Sequence, residues 1–246
     1  KRDDTPYTDF LERSQINPMW ILLFVITLVL TLGVQFYLRN TYGRWSKVAN
    51  TSGLSGRDTA RAILDANGLH DVQVEPVRGM LSDHYDPRSR VVRLSEDNFY
   101  KASVAGSAVA AHEVGHAIQH AKAYAPLQWR SALVPVANIG GNFAPLLIMF
   151  GFFSFGSALG QNMVMLGLVL FAAAVLFQLV TLPVEFDASR RANVEMQRLG
   201  IATTGDISGS KQVLNAAALT YVAAAASSVA YLLMYVLQFM GMSSDE

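Results

Sequence analysis

The chain has 246 residues, enough for one domain or two small ones, and 52% of them are apolar. Lys plus Arg and Asp plus Glu each number 19, so the net formal charge is zero and there is no overall basic field of the kind that holds nucleic acid. Cysteine is absent, which excludes disulfides, thiolate metal sites and cysteine nucleophiles, so any zinc must be held by His and carboxylates.

Residues 1–17 read as a polar N-terminal extension. Residues 18–38 carry no charge, and about 20 apolar residues cross a hydrocarbon core of about 30 Å as a helix, so a first transmembrane helix is expected there. The run is too long for the apolar region of a secretory signal, and no small-residue cleavage site precedes the polar residues 39–47. Residues 39–131 are the one stretch long enough for a water-exposed domain, and a domain that small needs the membrane helices as support. Within it, Ser55-Gly56-Arg57-Asp58 reads as a capping box opening a helix that buries Ala60, Ile63 and Leu64 and stops at Gly68. A strand is expected over residues 72–77, and a β-hairpin over 80–85 and 90–94 around the turn Asp86-Pro87-Arg88-Ser89. The next helix begins near Ser95 or Ser103, and residues 103–123 are Ala-rich helix material.

No Asp, Glu, Lys, Arg or His occurs in residues 131–184. As one helix those 54 residues would extend about 80 Å at ~1.5 Å each, far more than a bilayer needs. The small, polar stretch 154–162 is the natural turn, making residues 132–183 a transmembrane hairpin with helices at 133–153 and 163–182. Residues 184–211 read as a loop or helix. Residues 212–244, uncharged and Ala-rich with Ser227 and Ser228 inside, suit a closely packed fourth span. Arg39, Arg44, Lys47, Arg57 and Arg61 follow the first span, and Arg190, Arg191, Arg198 and Lys211 lie between the third and fourth, whereas the hairpin turn has no basic residue. The positive-inside rule therefore puts residues 39–130 and 183–211 in the cytoplasm and both termini outside.

The chemistry is carried by His112-Glu113-Val114-Gly115-His116. Two histidines four residues apart project from one helix face, about 6 Å apart along the axis, close enough to share one ion. Glu113, beside the first of them, is placed to take a proton from the attacking water and pass it to the leaving amine, which is the zincin arrangement. As incidental residues of an apolar core helix, these three polar side chains would be costly without partners. Catalytic zinc sites usually have three protein ligands. His120 lies about 12 Å from His112 along a straight helix and cannot meet the same ion. Metzincin spacing would need Gly at 119 and His at 122, where the chain has Gln119 and Lys122. A carboxylate elsewhere is therefore expected. Glu185, the first charge after the uncharged stretch, returns to the face of the His helix across two spans and is the favoured metal ligand. Asp187 is the alternative ligand or an outer partner, and either carboxylate alternatively pairs with Arg190 or Arg191 at the lipid boundary. His84 and Tyr85, in the hairpin before the His helix, are candidates to hold an extended substrate, with His84 supporting the oxyanion; as ordinary residues they simply flank a turn.

Four blocks together carry a family resemblance: residues 51–56, residues 81–95 (LSDHYDPRSRVVRLS), residues 110–120 (AAHEVGHAIQH) and residues 181–192 (TLPVEFDASRRA). Over residues 42–195 the chain resembles the YugP-type membrane-bound neutral zinc metallopeptidases. The resemblance implies a multi-pass bacterial membrane protein with a gluzincin-like site, His112 and His116 as zinc ligands and Glu113 as catalytic acid/base. Related proteases with a Glu ligand typically carry Asp four positions later, where this chain has Ser189, and Asp187 comes early.

The expected fold is mainly α with a small β-sheet, four membrane spans and a zincin-like cytoplasmic catalytic domain. The expected function is zinc-dependent peptide hydrolysis at the bacterial cell membrane with one zinc ion per chain, acting on membrane or unfolded polypeptides and contributing to membrane protein quality control. Two alternatives stand beside it. An intramembrane site-2-type protease usually takes its third ligand from an Asn-Pro-Asp-Gly-type segment, and none occurs here. A zinc-containing scaffold or adaptor would act by binding a larger protease, against which the intact Glu113 argues. Homo-oligomers or a larger protease partner are compatible with either.

Overall fold

The computed structural model describes residues 18–244; the polar extension expected at residues 1–17 lies outside the described residues. Ten elements follow in chain order: α1 (Pro18–Trp45), α2 (Gly56–Ala66), β1 (Gln73–Val77), β2 (His84–Asp86), β3 (Val91–Ser95), α3 (Glu96–Tyr100), α4 (Val104–Ala121), α5 (Ala125–Phe153), α6 (Ala158–Arg198) and α7 (Thr204–Ser244). The protein is mostly helical with one three-stranded sheet. The four helices α1, α5, α6 and α7 are long and apolar enough to cross a membrane. Their outward faces expose large apolar side chains such as Phe24, Phe36, Phe150, Phe153, Val169 and Leu237, as lipid contact requires and water would penalise.

The small elements form for local reasons. Ser55 caps α2, its hydroxyl accepting from the Asp58 amide at 3.1 Å, and Gly68 (φ +72°) ends the turn beyond it. Ala60, Ile63 and Leu64 are fully buried on one face of the helix. The expected strand is present as β1, but it runs parallel to β3, with β2 antiparallel on the other side, giving the order β1-β3-β2. The first arm of the hairpin is shorter than expected. Residues 80–83 are irregular because Gly79 (φ +104°) and Leu81 (φ +57°) take left-handed backbone, which a strand cannot contain. Both helix starts suggested by sequence are used: α3 follows Ser95, and α4 follows Ser103, whose hydroxyl accepts from the Gly106 amide at 3.0 Å.

The spans differ most from expectation, and always in the same direction. The first helix does not end at residue 38 but continues to Trp45, where the Tyr42 hydroxyl donates to Asn98 Oδ1 at 2.8 Å and Trp45 Nε1 donates to Gln212 Oε1 at 3.3 Å. The hairpin turn is only residues 154–157, because Ser157 caps α6 by accepting from the Gly160 amide at 3.1 Å. The third span does not stop at Leu182: α6 runs through Pro183 without a break, a proline position that membrane helices tolerate when neighbours satisfy the freed backbone. Of the two readings of segment 184–211, helix holds and loop does not, apart from the short connection. The segment is the second half of α6, the connection 199–203 with Gly200 at φ +67°, and the first turns of α7. Thr203 and Asp206 open α7 by capping each other, the Thr203 amide donating to Asp206 at 3.0 Å.

Each 41-residue helix is about 60 Å long, twice the hydrocarbon thickness. The surplus halves of α6 and α7 form part of the main core. Ala192 and Met196 of α6 and Ile207 and Leu214 of α7 pack with Ile63 and Leu64 of α2, Val92 and Leu94 of β3, and Val114, Ala117 and Ile118 of α4. The polar segment after the first span thus completes its core with the ends of two spans, which positions α4 against α6.

Candidate metal centre

Gly115 fixes how closely α4 and α6 approach. A Cβ there would lie 2.6 Å from the Ala188 carbonyl oxygen, so the two backbones touch and no side chain larger than hydrogen fits. Ala188 is less than one turn from Glu185, and the contact therefore turns the Glu185 face of α6 onto the motif face of α4. Glu185 Oε2 lies 3.3 Å from His112 Nε2 and 3.7 Å from His116 Nε2. The two imidazoles stand edge to face, their centroids 4.8 Å apart. One donor atom from each of His112, His116 and Glu185 lies within 4.8 Å of the others, and this is the group of three metal-capable side chains among the described residues. Asp187 and His84 are not part of it.

Hydrogen-bond bookkeeping assigns the ring tautomers. Gln119, fully buried, donates through Nε2 to the Val184 carbonyl at 2.8 Å and to Asp187 Oδ2 at 3.0 Å. Its Oε1 can only accept, and it lies 3.0 Å from His116 Nδ1; that nitrogen carries the proton and Nε2 presents a lone pair to the centre. His112 Nδ1 is likewise 3.1 Å from the Ser189 hydroxyl. Ser189 thus contacts the first histidine. Asp187 serves the second at one remove, through Gln119, and is itself held by Arg190 and by Arg191 Nε at 2.5 Å. Such outer contacts orient ligands and hold ring direction. Gln119→Leu removes the acceptor for His116 Nδ1 at nearly constant volume, and is expected to weaken zinc affinity about 10–100-fold in competition with a chromogenic chelator.

Glu113 is 8% exposed and makes no side-chain hydrogen bond among the described residues. Burial pushes its carboxyl above the ordinary glutamate range; His112 and His116 oppose the rise and Glu185 adds to it. Burial alone would lower the His116 imidazole, but the Glu185 carboxylate beside it outweighs burial and raises the ring above its usual value.

These residues line a cleft of about 600 Å³ that also takes in His84, Tyr85, His120, Arg130 and Tyr221. His84 is exposed at the start of β2 and donates from Nδ1 to the Ser82 carbonyl at 2.8 Å, leaving Nε2 free. His120 is not near the triad's donor atoms; its Nδ1 lies 2.9 Å from the Tyr85 hydroxyl.

The model of the family described as "Putative neutral zinc metallopeptidase" matches residues 20–240. The chain belongs to this family. It is also 48% identical over 223 residues to a protein of Bacillus subtilis (strain 168) described as "Putative membrane protease YugP", a match covering 90% of this chain and 97% of that protein. No solved structure matches the chain significantly. The family's description makes zinc the metal to test against these ligands, and the donor set fits it: two imidazole nitrogens and one carboxylate oxygen suit a zinc centre with an open position, whereas calcium and magnesium prefer sets made of oxygen.

Sequence reasoning did not assign three residues that surround the centre. Gln119 was readable as the residue three positions after His116 on the same helix, hence within reach of its ring. Asp83 lines the cleft and is anchored by the Ser95 amide at 2.7 Å and by Asn98 Nδ2 at 3.1 Å. Tyr221 comes from α7, beyond the third span, and no local pattern ties an isolated tyrosine in an alanine run to a motif over a hundred residues earlier.

Proposed function

We propose that the protein is a membrane-bound zinc-dependent peptidase that hydrolyses peptide bonds of membrane or unfolded polypeptides, with His112, His116 and Glu185 as the ligands of one zinc ion and Glu113 as general base and then general acid. The observation that carries this reading is the convergence of the three donor atoms within 4.8 Å beside a buried carboxylate that nothing else engages. Zinc bound there supplies a Lewis acid for the scissile carbonyl and makes a neighbouring water easier to deprotonate. Glu113 takes the proton from that water as it attacks and delivers it to the departing amine. Burial raises its affinity for the proton it receives. Gln119 and Ser189 keep the two rings aimed. The free edge of β2, with His84 and Tyr85 on the cleft, gives an extended polypeptide a strand to pair with, and His84 Nε2 a route to the oxyanion.

The basic residues at the end of α1 and after it, and those in the second half of α6, support a cytoplasmic site with both termini outside; a membrane-bound peptidase there would act in membrane protein quality control. The test uses protein purified in detergent, its metal content, and cleavage of an unfolded protein. One zinc per chain is expected, with cleavage abolished by 1,10-phenanthroline and restored by added zinc. Full zinc occupancy without any cleavage would overturn the peptidase reading in favour of an adaptor.

A further inference from the structure

A second cavity, of about 200 Å³, also reaches the triad. The two share Asp83, His112, Glu113, Glu185 and Tyr221, so Glu113 stands where they join. The main cleft is walled by the sheet, α4 and the start of α5. The second cavity is walled by Leu38 of α1, Val109 of α4, and Leu214, Ala217 and Ala218 of α7, with Leu81 at its edge. This wall is apolar, and the cavity's polar groups are Tyr42, Ser189 and Thr220 together with the residues shared with the main cleft. Interiors rarely leave voids larger than a water molecule, and this one persists because α7 presents alanine at two successive positions where a larger residue would fill it. Leu81 is held in left-handed backbone at φ +57°, a costly conformation for a branched residue that concentrates at functional sites. The Ser82 hydroxyl braces its loop by donating to the Gly79 carbonyl at 2.9 Å.

We propose that this cavity is the subsite that receives a large apolar side chain of the polypeptide next to the scissile bond, so that the first and fourth spans set the cleavage specificity. The proposal rests on the peptidase reading. An apolar side chain entering here releases water from both surfaces and draws the adjacent carbonyl towards Glu113 and the triad. The wall formed by Leu38, Leu214, Ala217 and Ala218 offers no partner to a charged side chain that reaches it, which would lose its hydration without compensation. Selectivity in such pockets reaches about 10-fold or more per missing methylene.

Cleavage sites in an unfolded protein such as casein, mapped by mass spectrometry for wild type and Ala217→Leu, test this. Wild type is expected to favour Leu or Phe over Ala or Gly at one position flanking the cut by at least about 10-fold, and Ala217→Leu to reduce that ratio at least as much. Leu38→Ala, which enlarges the cavity from another helix, is expected to move the preference towards Phe and Trp. Equal cleavage beside large and small residues by wild type, or an unchanged preference in both variants, overturns the proposal. A readout without turnover separates it from the peptidase reading: with Glu113→Gln as background, a Leu-containing tetrapeptide should bind at least about 10-fold more tightly than its Ala counterpart, and Ala217→Leu should erase the difference. If wild type cleaves nothing but this binding preference holds, the peptidase reading fails and the apolar subsite stands; if binding too is indifferent to side-chain size, the subsite fails.

Discussion

Glu113→Gln is expected to bind zinc as wild type does and to lose about 10²–10⁴-fold in cleavage rate, the range that a positioned general acid/base contributes. The expectation follows from how the carboxylates of the cleft are committed. Asp83 is occupied by the Ser95 amide and hydroxyl and by Asn98. Glu185 faces the two histidines at 3.3 and 3.7 Å. Glu113 accepts no hydrogen bond from a described residue, so its oxygens are available to a water. Glutamine keeps the shape and the polarity of the site but cannot act as a base, so the variant separates metal binding from proton transfer. Zinc content by mass spectrometry and cleavage of an unfolded protein, measured side by side, decide it. Wild-type rates in Glu113→Gln would remove Glu113 from the mechanism.

The motif and the count of spans were legible because each is a local pattern. His112 and His116 repeat at helical spacing, and uncharged runs of spanning length stand out against a chain with 19 basic and 19 acidic residues. What was illegible is where a membrane helix stops once it leaves the membrane. Hydropathy marks the end of lipid contact, at Leu182 or Leu38, but a helix ends where its backbone loses hydrogen-bonding continuity, at Leu199 or after Trp45. Charges such as Arg190, Arg191 and Lys211 signal water and leave loop and helix both open, and the structure carries them on α6 and α7. The parallel pairing of β1 with β3 was equally hidden, since periodicity gives the strands but not their partners. The close contact of Gly115 with Ala188 joins two segments over seventy residues apart. Only a glycine between the two histidines hinted at it, and glycine in an Ala-rich helix reads first as a weak helix former.

The choice between Glu185 and Asp187 is where the geometry adds most to the sequence, and it leads to a divided outcome for the two carboxylates. Glu185 is 3% exposed and points at both histidines, while Asp187 points at Gln119, Arg190 and Arg191. Glu185→Gln should therefore abolish stoichiometric zinc and all cleavage, because two imidazoles leave the ion short of the three protein ligands that catalytic sites usually hold. Asp187→Asn should retain zinc with affinity lowered by about 10–100-fold, the cost of losing an outer partner, since Gln119 keeps its second acceptor at the Val184 carbonyl. Metal titration of both variants in detergent reads the difference directly. Loss of zinc in Asp187→Asn with retention in Glu185→Gln would exchange their roles. Equal, modest weakening in both would mean that a ligand from outside the described residues, or from a second chain, completes the centre.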